Sequence, residues 1–257
     1  MAEPQRQRRI RCDDMRHENI ILGLETATSI CSAGLASEGR FLAEISFDLK
    51  NNHDQVLSDS ISHLLRLAGL RLEQIAGIAV SAGPGSFTGL RIGFGFAKGL
   101  AFAQNKPLIA INTLRLQAAA ARGHAEIYFH SRGISLNAGV LVPVLTARRG
   151  EVYTAIFAAH ERLPVNKSPE QVIALSDFAD FAPDFAVVCG NGLTSLREAS
   201  LLDRLKNCCL VPEEQARLSG GLVARMGHVM LLKGQTAGAT TLEPHYVQSF
   251  VLGAPRA

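Results

Sequence analysis

The sequence predicts an α/β fold in which mixed β-sheets are flanked by helices. Short apolar runs typical of buried strands alternate with amphipathic segments whose apolar residues recur at helical spacing. A glycine-rich turn at residues 83–86 joins one such strand to a helix. The order of elements begins again after residue 138, which indicates a second lobe built as an abbreviated copy of the first.

The first half predicts three extended segments followed by alternating helices and strands. The predicted elements are strands at 20–29, 31–37 and 40–49, a helix at 51–69, a strand at 75–83, a helix that follows the glycine-rich turn to residue 105, a strand at 107–112 and a helix at 113–123. Asn52 or Asp54 is a candidate cap for the first of these helices.

The second half predicts fewer elements. They are two strands joined at 148–150, a short helix at 175–181, a strand at 185–192 and two helices at 193–205 and 214–233. We expect residues 1–19 to be a flexible extension and residues 20–123 to form the first lobe. Residues 124–257 form the second lobe, which begins with an irregular linker at 124–138.

Composition excludes several classes of protein. The chain has 257 residues, 47% of them hydrophobic and 19% charged, so it can bury a sizeable core. Its net charge of +3 does not by itself indicate a nucleic-acid-binding surface. No run approaches the roughly 18 apolar residues of a membrane span. The first nineteen residues lack the apolar stretch of a secretory signal. We therefore expect a cytoplasmic protein whose five cysteines are reduced.

The usual motifs of metal and nucleophile sites are missing. No two of the eight histidines are four residues apart, so there is no H-x-x-x-H pair and no H-E-x-x-H. His53 is interpreted as a surface or capping histidine. G-x-S-x-G does not occur, and Ser86 is interpreted as a helix N-cap. We expect no catalytic residue and no metal site.

The sequence is compatible with phosphate binding at the glycine-rich turn but does not require it. Gly83, Gly85 and Ser86 follow a buried strand and precede a helix whose free N–H groups can receive an anion. The Walker pattern is missing, and G-x-G-x-x-G fails because Gly89 comes one residue late. A weak phosphate site and a plain structural turn are equally compatible with this pattern.

Four segments carry a resemblance to a known family. They are LETATS at 24–29, GPGSFTGLRIGFGFAKGLA at 83–101, TARRGEVY at 146–153 and EPHYVQ at 243–248. In this order and spacing they resemble the TsaB (YeaZ) family over nearly the whole chain from residue 20. The glycine-rich segment is the most specific, because so long a pattern is hard to meet by chance.

This resemblance implies a two-lobed actin-like, Hsp70-like (ASKHA) fold and a subunit of bacterial tRNA threonylcarbamoyladenosine biosynthesis. The implied role is a non-catalytic organiser that pairs with a paralogous transferase, TsaD, and an ATPase, TsaE, which modify the adenosine beside the anticodon. The implied partners also include a second copy of the chain when it is alone, and tRNA only through the complex. ATP and Mg²⁺ belong to the complex, with weak nucleotide binding by this chain. The alternatives are a stand-alone nucleotide or glycoprotease-like hydrolase and a self-associating structural module.

The implied nucleotide cleft lies between two turns. Glu25, Thr26 and Thr28 come from the first hairpin, and Gly190 and Gly192 from the turn in the second lobe. Family members usually carry Asp where this chain has Glu25 and Thr146, and Arg where it has Gln248. The Thr146 departure removes a candidate group for holding a hydrated metal, which argues against independent ATP hydrolysis.

The helix after Ser86 contains four glycines that each cost about 1 kcal/mol relative to alanine. From spacing alone, internal packing and a partner surface are equally good explanations. The resemblance favours a partner surface, for which the candidate residues are Gly89, Leu90, Arg91, Gly93, Phe94 and Ala97. On this hypothesis, Gly93→Leu abolishes association and leaves the monomer folded.

Overall fold

A computed structural model describes residues 19–48, 53–238 and 242–247 of the chain. The elements of the first half are β1 (Ile21–Glu25), β2 (Ile30–Ser37), β3 (Arg40–Asp48), α1 (His53–Leu67), β4 (Gly77–Ser81), α2 (Phe87–Ala103), β5 (Leu108–Ile111) and α3 (Thr113–Ser131). Those of the second half are β6 (Val140–Thr146), β7 (Glu151–Thr154), β8 (Phe157–Ala158), β9 (Gln171–Ala174), α4 (Phe178–Phe181), β10 (Val187–Cys189), α5 (Gly192–Glu198), β11 (Cys209–Val211) and α6 (Gly220–Leu232).

The strands of the described residues form two sheets with the same topology. The first has the order β3-β2-β1-β4-β5, and the second β9-β7-β6-β10-β11, with β8 beside β6. In each sheet the first three strands pair antiparallel with one another, and the fourth and fifth strands run parallel to the third. The predicted α/β fold is thereby confirmed, with two lobes that repeat one strand plan.

The central strands of the first sheet are buried on both faces. Every residue of β1, β2 and β4 is buried, which explains why their sequences are continuous apolar runs rather than alternating ones. One face packs against α1 and α2. The other face packs against α6, whose Val223, Ala224 and Met226 lie in one cluster with Ile21 and Ile109.

Helix α6 reaches the first sheet because glycines on both sides allow the backbones to approach. A Cβ on Gly23 would collide with the carbonyl oxygen of Gly220, and a Cβ on Gly34 would collide with the backbone of Gly221. The N-terminus of α6 is tied to the same sheet, since Gly220 N–H donates to Ser32 Oγ at 2.9 Å. A segment near the end of the sequence therefore completes the core of the first lobe.

Some predicted boundaries were wrong. Residues 124–131, expected to be part of an irregular linker, continue α3, because the buried Ala125 and Phe129 extend the apolar stripe of that helix. The division between residues 123 and 124 thus falls inside a helix. Strands β9 and β11 were not predicted. Nearly all of the N-terminal extension, the candidate cap Asn52 and Gln248 lie outside the described residues.

None of the helices within the described ranges combines the length and the apolar character that crossing a membrane requires.

Candidate functional site

A cleft of about 290 Å³ opens between the two lobes. The first lobe lines it with the β1–β2 turn, the start of α1 and the loop before α2, and the second lobe with the ends of β6 and β10. The lining residues are Ala27, Thr28, Ser29, His53, Gly85, Ser86, Leu145, Thr146 and Asn191. The two turns expected to face a nucleotide therefore contribute to one cavity.

Three of the eight candidate phosphate-loop residues line this cleft, namely Thr28, Gly85 and Ser86. Ser86 is the N-cap of α2, as predicted, since its Oγ accepts from Gly89 N–H at 3.2 Å. Gly85 is required by close packing, because a Cβ there would collide with the carbonyl oxygen of Ala27.

The other five candidates support the cleft from behind. Gly190 and Gly192 pack against the backbone of Val144, and Gly83 packs against the carbonyl of His245. Asn191, between the two glycines, reaches the cleft, and its Oδ1 accepts from Thr146 N–H at 2.9 Å. Glu25 and Thr26 are fully buried.

Glu25 is a buried carboxyl group at the end of β1. Its Oε1 accepts from Ala27 N–H at 2.7 Å, while its Oε2 is buried with no hydrogen-bond partner among the described residues. Burial raises the pKa of Glu25 to about 7, although hydrogen bonds from Ala27, Ser81 and Thr28 act in the opposite direction. Near neutral pH this group is therefore substantially protonated.

His53 differs from its expected surface position. It is the first residue of α1, it is 9% exposed, and its Nε2 lies 3.3 Å from the carbonyl oxygen of Ser29. This contact ties α1 to the turn that lines the cleft. Across the described ranges, no group of three or more His, Cys, Asp or Glu side chains is placed to hold a metal ion.

The residues lining the cleft do not fit a hydrated Mg²⁺ site. None of them carries a carboxylate, and the neighbouring Glu25 is fully buried, with its pKa raised to about 7 by desolvation. The polar groups available are hydroxyls, one imidazole and one amide.

The candidate partner residues of α2 divide between two faces of the helix. Leu90, Phe94 and Ala97 are buried in the core, so their assignment to a partner surface was wrong. Gly89 and Gly93 are also buried, because Thr26 of the β1–β2 turn approaches the helix where a Cβ would lie. Gly93→Leu would therefore collide within the monomer.

Arg91 is the exposed member of the predicted set. It lies with Ile92, Gly95, Phe96, Gly99 and Leu100 along a mainly apolar groove of about 440 Å³ that Asp54 of α1 borders. Gly95 and Gly99 have open space where a Cβ would stand. We call this groove the α2 outer face. The two glycine pairs of α2 thus have different roles, one internal and one at the surface.

Sequence reasoning missed the contact of residues 242–247 with the glycine-rich loop. His245 N–H donates to the carbonyl of Ala82 at 2.6 Å, and His245 Nε2 lies 3.2 Å from Glu170 Oε2 in the second lobe. The Tyr246 ring lies 5.4 Å from the Phe87 ring at the start of α2. The EPHYVQ segment was the available signal, but nothing local indicated where it packs.

Comparisons with known proteins agree with one another. A sequence model of the family described as "TsaD: tRNA N6-adenosine threonylcarbamoyltransferase" matches residues 43–181. The chain is 31% identical over 160 residues to the tRNA threonylcarbamoyladenosine biosynthesis protein TsaB of Bacillus subtilis (strain 168), covering 62% of this chain and 64% of that protein. It is 35% identical over 142 residues to the TsaB of Escherichia coli (strain K12), covering 55% and 56%.

The matched region therefore spans less than two thirds of either curated relative. Among solved structures, YeaZ from Pseudomonas aeruginosa superposes with a TM-score of 0.71 at 26% identity, covering 89% of this chain and 99% of that one. The structural similarity extends over both lobes.

Proposed function

Because the chain belongs to the TsaD family of sequences, in its TsaB (YeaZ) branch, we propose that it takes part in tRNA threonylcarbamoyladenosine biosynthesis as a non-catalytic organising subunit. It binds a TsaD-like transferase and acts with a TsaE-like ATPase, and it reaches tRNA only through that complex. The two curated relatives reported above are named as proteins of this biosynthesis.

The α2 outer face is the observation that carries this proposal. A surface helix normally presents polar residues to water, yet this one exposes a groove with Ile92, Phe96 and Leu100 along it. Gly95 and Gly99 lower the helix surface, so that another backbone can come close. Phe102 in the last turn of α2 is 76% exposed and extends the apolar surface. We assign the TsaD-like partner to this face.

The side chains that line the cleft support the part of this proposal that gives the chain no catalytic activity of its own. Phosphoryl transfer relies on metal ions and positioned charges around the phosphates. The cleft offers hydroxyls of Thr28, Ser86 and Thr146 rather than a carboxylate. These groups favour at most a weakly held nucleotide, so we assign ATP and Mg²⁺ to the partner proteins.

The decisive experiment measures threonylcarbamoyl transfer to tRNA by purified TsaD-like and TsaE-like partners, supplied with ATP and the activated threonylcarbamoyl donor. We expect modification only when this chain is added, and neither tRNA modification nor ATP hydrolysis by the chain alone. Equal modification without the chain would contradict the organising role. ATP hydrolysis by the chain alone would favour a stand-alone hydrolase instead.

Gly99→Arg tests the assigned face. The new side chain has room in the monomer but places a charge and bulk in the groove, so we expect association with the TsaD-like partner to weaken by about tenfold or more. Gly99→Ala is the matched control, because a methyl group adds little bulk and favours the helix. Both are measured by calorimetric titration with the partner.

A second control is Ile127→Arg, which alters an exposed apolar side chain on α3, away from the α2 outer face. If Gly99→Arg binds the partner as the parent does, the α2 outer face is not the interface. We also expect the free chain to pair with itself through this face. Gly99→Arg should then shift a concentration-dependent dimer toward monomer in sedimentation measurements.

A further inference from the structure

A second large cavity lies between α3 and α6, apart from the interlobe cleft and the α2 outer face. Its volume is about 580 Å³, and it shares no lining residue with either of those sites. Its walls come from α3, from α6, from the β2–β3 turn at Gly39 and from the loop that holds Arg162 and Leu163. We call it the α3–α6 cavity.

Three arginines surround this cavity, each from a different segment. Arg122 lies on α3, Arg225 on α6 and Arg162 on the loop after β8. The lining contains one carboxylate, that of Glu126, so it has a formal surplus of two positive charges. Like charges brought together around a concave surface raise the local concentration of anions.

These arginines are incompletely paired within the part of the chain that the structure describes. Arg122 Nη2 lies 2.8 Å from Glu126 Oε1, but Arg122 Nε is buried and has no hydrogen-bond partner there. The guanidinium groups of Arg162 and Arg225 form no ion pair with a described residue. A buried donor without a partner is uncommon in folded proteins, and this one is free to donate to an acceptor outside the chain.

The floor of the cavity is apolar. Leu163 and Met226 are almost fully buried, and Leu222 and Val229 of α6 lie beside them. The walls are also held in place. Glu38 N–H donates to His228 Nε2 at 3.0 Å and ties the β2–β3 turn to α6, while Leu116 of α3 shares a buried cluster with Met226. The cavity is therefore part of the packed fold.

We propose that the α3–α6 cavity binds a phosphorylated small molecule that also carries an apolar or aromatic group, of the size of a nucleoside phosphate. Guanidinium forks match the oxygens of phosphate, and an apolar floor suits a ring. The volume lies within the range of small-molecule sites, about 300–1,000 Å³. A single concave cavity with an apolar floor favours a small ligand over an RNA backbone, which needs an extended track of cations. This inference does not depend on the proposed function.

Calorimetric titration of the full chain with ADP, with inorganic phosphate and with adenosine tests the ligand class. We expect ADP to bind most tightly, because it alone supplies both the phosphates and the ring. No measurable binding of ADP or phosphate up to millimolar concentration would overturn the proposal. So would binding of a 12-nucleotide RNA that depends on Arg225 while ADP does not bind.

Arginine variants locate the site. Loss of a hydrogen-bonded charge pair weakens binding by about tenfold to a hundredfold, and we expect this for Arg225→Ala and for Arg162→Ala with ADP. Arg197→Ala, which removes an exposed arginine on α5, is the matched control and should leave the affinity unchanged. If neither Arg225→Ala nor Arg162→Ala changes the affinity, ADP binds elsewhere and the assignment fails.

Gly123 allows a sharper comparison. It lines the cavity within α3 and has open space where a Cβ would stand, so a longer side chain fits without a collision. Gly123→Glu adds a carboxylate to the cavity, whereas Gly123→Gln adds a side chain of nearly the same shape without the charge. We expect the Glu variant to lose ADP binding by about tenfold or more relative to the Gln variant. Equal affinities of the two would contradict a phosphate site.

Discussion

Glu25 shows how one residue acquires its chemistry from its surroundings. An acidic side chain is normally ionised at neutral pH, but the fold buries the carboxyl group of Glu25 completely. There desolvation outweighs the hydrogen bond from Ala27, and the protonated form is favoured up to a pH of about 7.

Glu25→Gln should therefore stabilise the protein at alkaline pH. Because the folded pKa of Glu25 lies above its unfolded value, the unfolded chain loses this proton first, and stability falls as pH rises from about 4.5 to about 7. Glutamine imitates the protonated carboxyl group and removes this loss. At pH 8 we expect the variant to gain up to about 3 kcal/mol of unfolding free energy, measured in urea.

At pH 5 the same variant should differ little from the parent protein. Glu198→Gln, which alters an exposed carboxylate on α5, is the control. Its free energy of unfolding relative to the parent should be the same at both pH values. A stability difference between Glu25→Gln and the parent that is the same at pH 5 and pH 8 would contradict the raised pKa.

At the scale of elements, α2 combines two glycine pairs with opposite roles. The first pair, Gly89 and Gly93, lets the β1–β2 turn approach the helix, and the second pair, Gly95 and Gly99, lies open on the outer face. Spacing alone treats the two pairs alike, because each is a G-x-x-x-G step along one helix. Their difference comes from Thr26, which lies sixty-seven residues before Gly93 in the sequence.

Alanine at the two kinds of position should change stability in opposite directions. Gly93→Ala places a methyl group against Thr26 and should lower the free energy of unfolding by about 1–3 kcal/mol. Gly95→Ala meets no neighbouring atom and should raise it by up to about 1 kcal/mol. Chemical denaturation of both variants side by side checks this, and effects of the same sign would contradict the assignment of faces.

For the whole molecule, the important feature is that the lobes are not consecutive stretches of sequence. Helix α6 belongs to the last part of the chain and packs against the first sheet. Helix α3 also spans both halves, since Leu116 lies in the cluster with α6 while Phe129 packs with the second sheet. The lobes are therefore connected by shared helices rather than by a linker.

A fragment of residues 19–131 should consequently fail to fold by itself. Without α6, the face of the first sheet that carries Ile21 and Ile109 is left in water. We expect no cooperative urea transition by circular dichroism. The same fragment joined through a flexible Gly/Ser linker to residues 213–238, which include α6, should show a cooperative urea transition. Cooperative unfolding of the short fragment would show that α6 is dispensable.

Local patterns were sufficient for the order of most elements, for the N-cap at Ser86 and for the repeated plan of the two lobes. Each depends on residues close together in the chain: apolar periodicity, a capping hydroxyl group and turn glycines. The candidate site was predicted only in part. The two turns of the cleft were expected from the family resemblance, whereas the hydrogen bond between Asn191 and Thr146 and the position of His245 depend on contacts with distant segments.

Only the packed structure decided which side of each helix lies in the core and which side chains are buried. No local pattern in the sequence distinguishes Gly93 from Gly95 or indicates that α6 packs against the first sheet. None indicates that the pKa of Glu25 is raised. The physical reason is that close packing and desolvation depend on all neighbouring atoms in space. For Gly23 those neighbours are Gly220 and Ala224, about two hundred residues further along the chain.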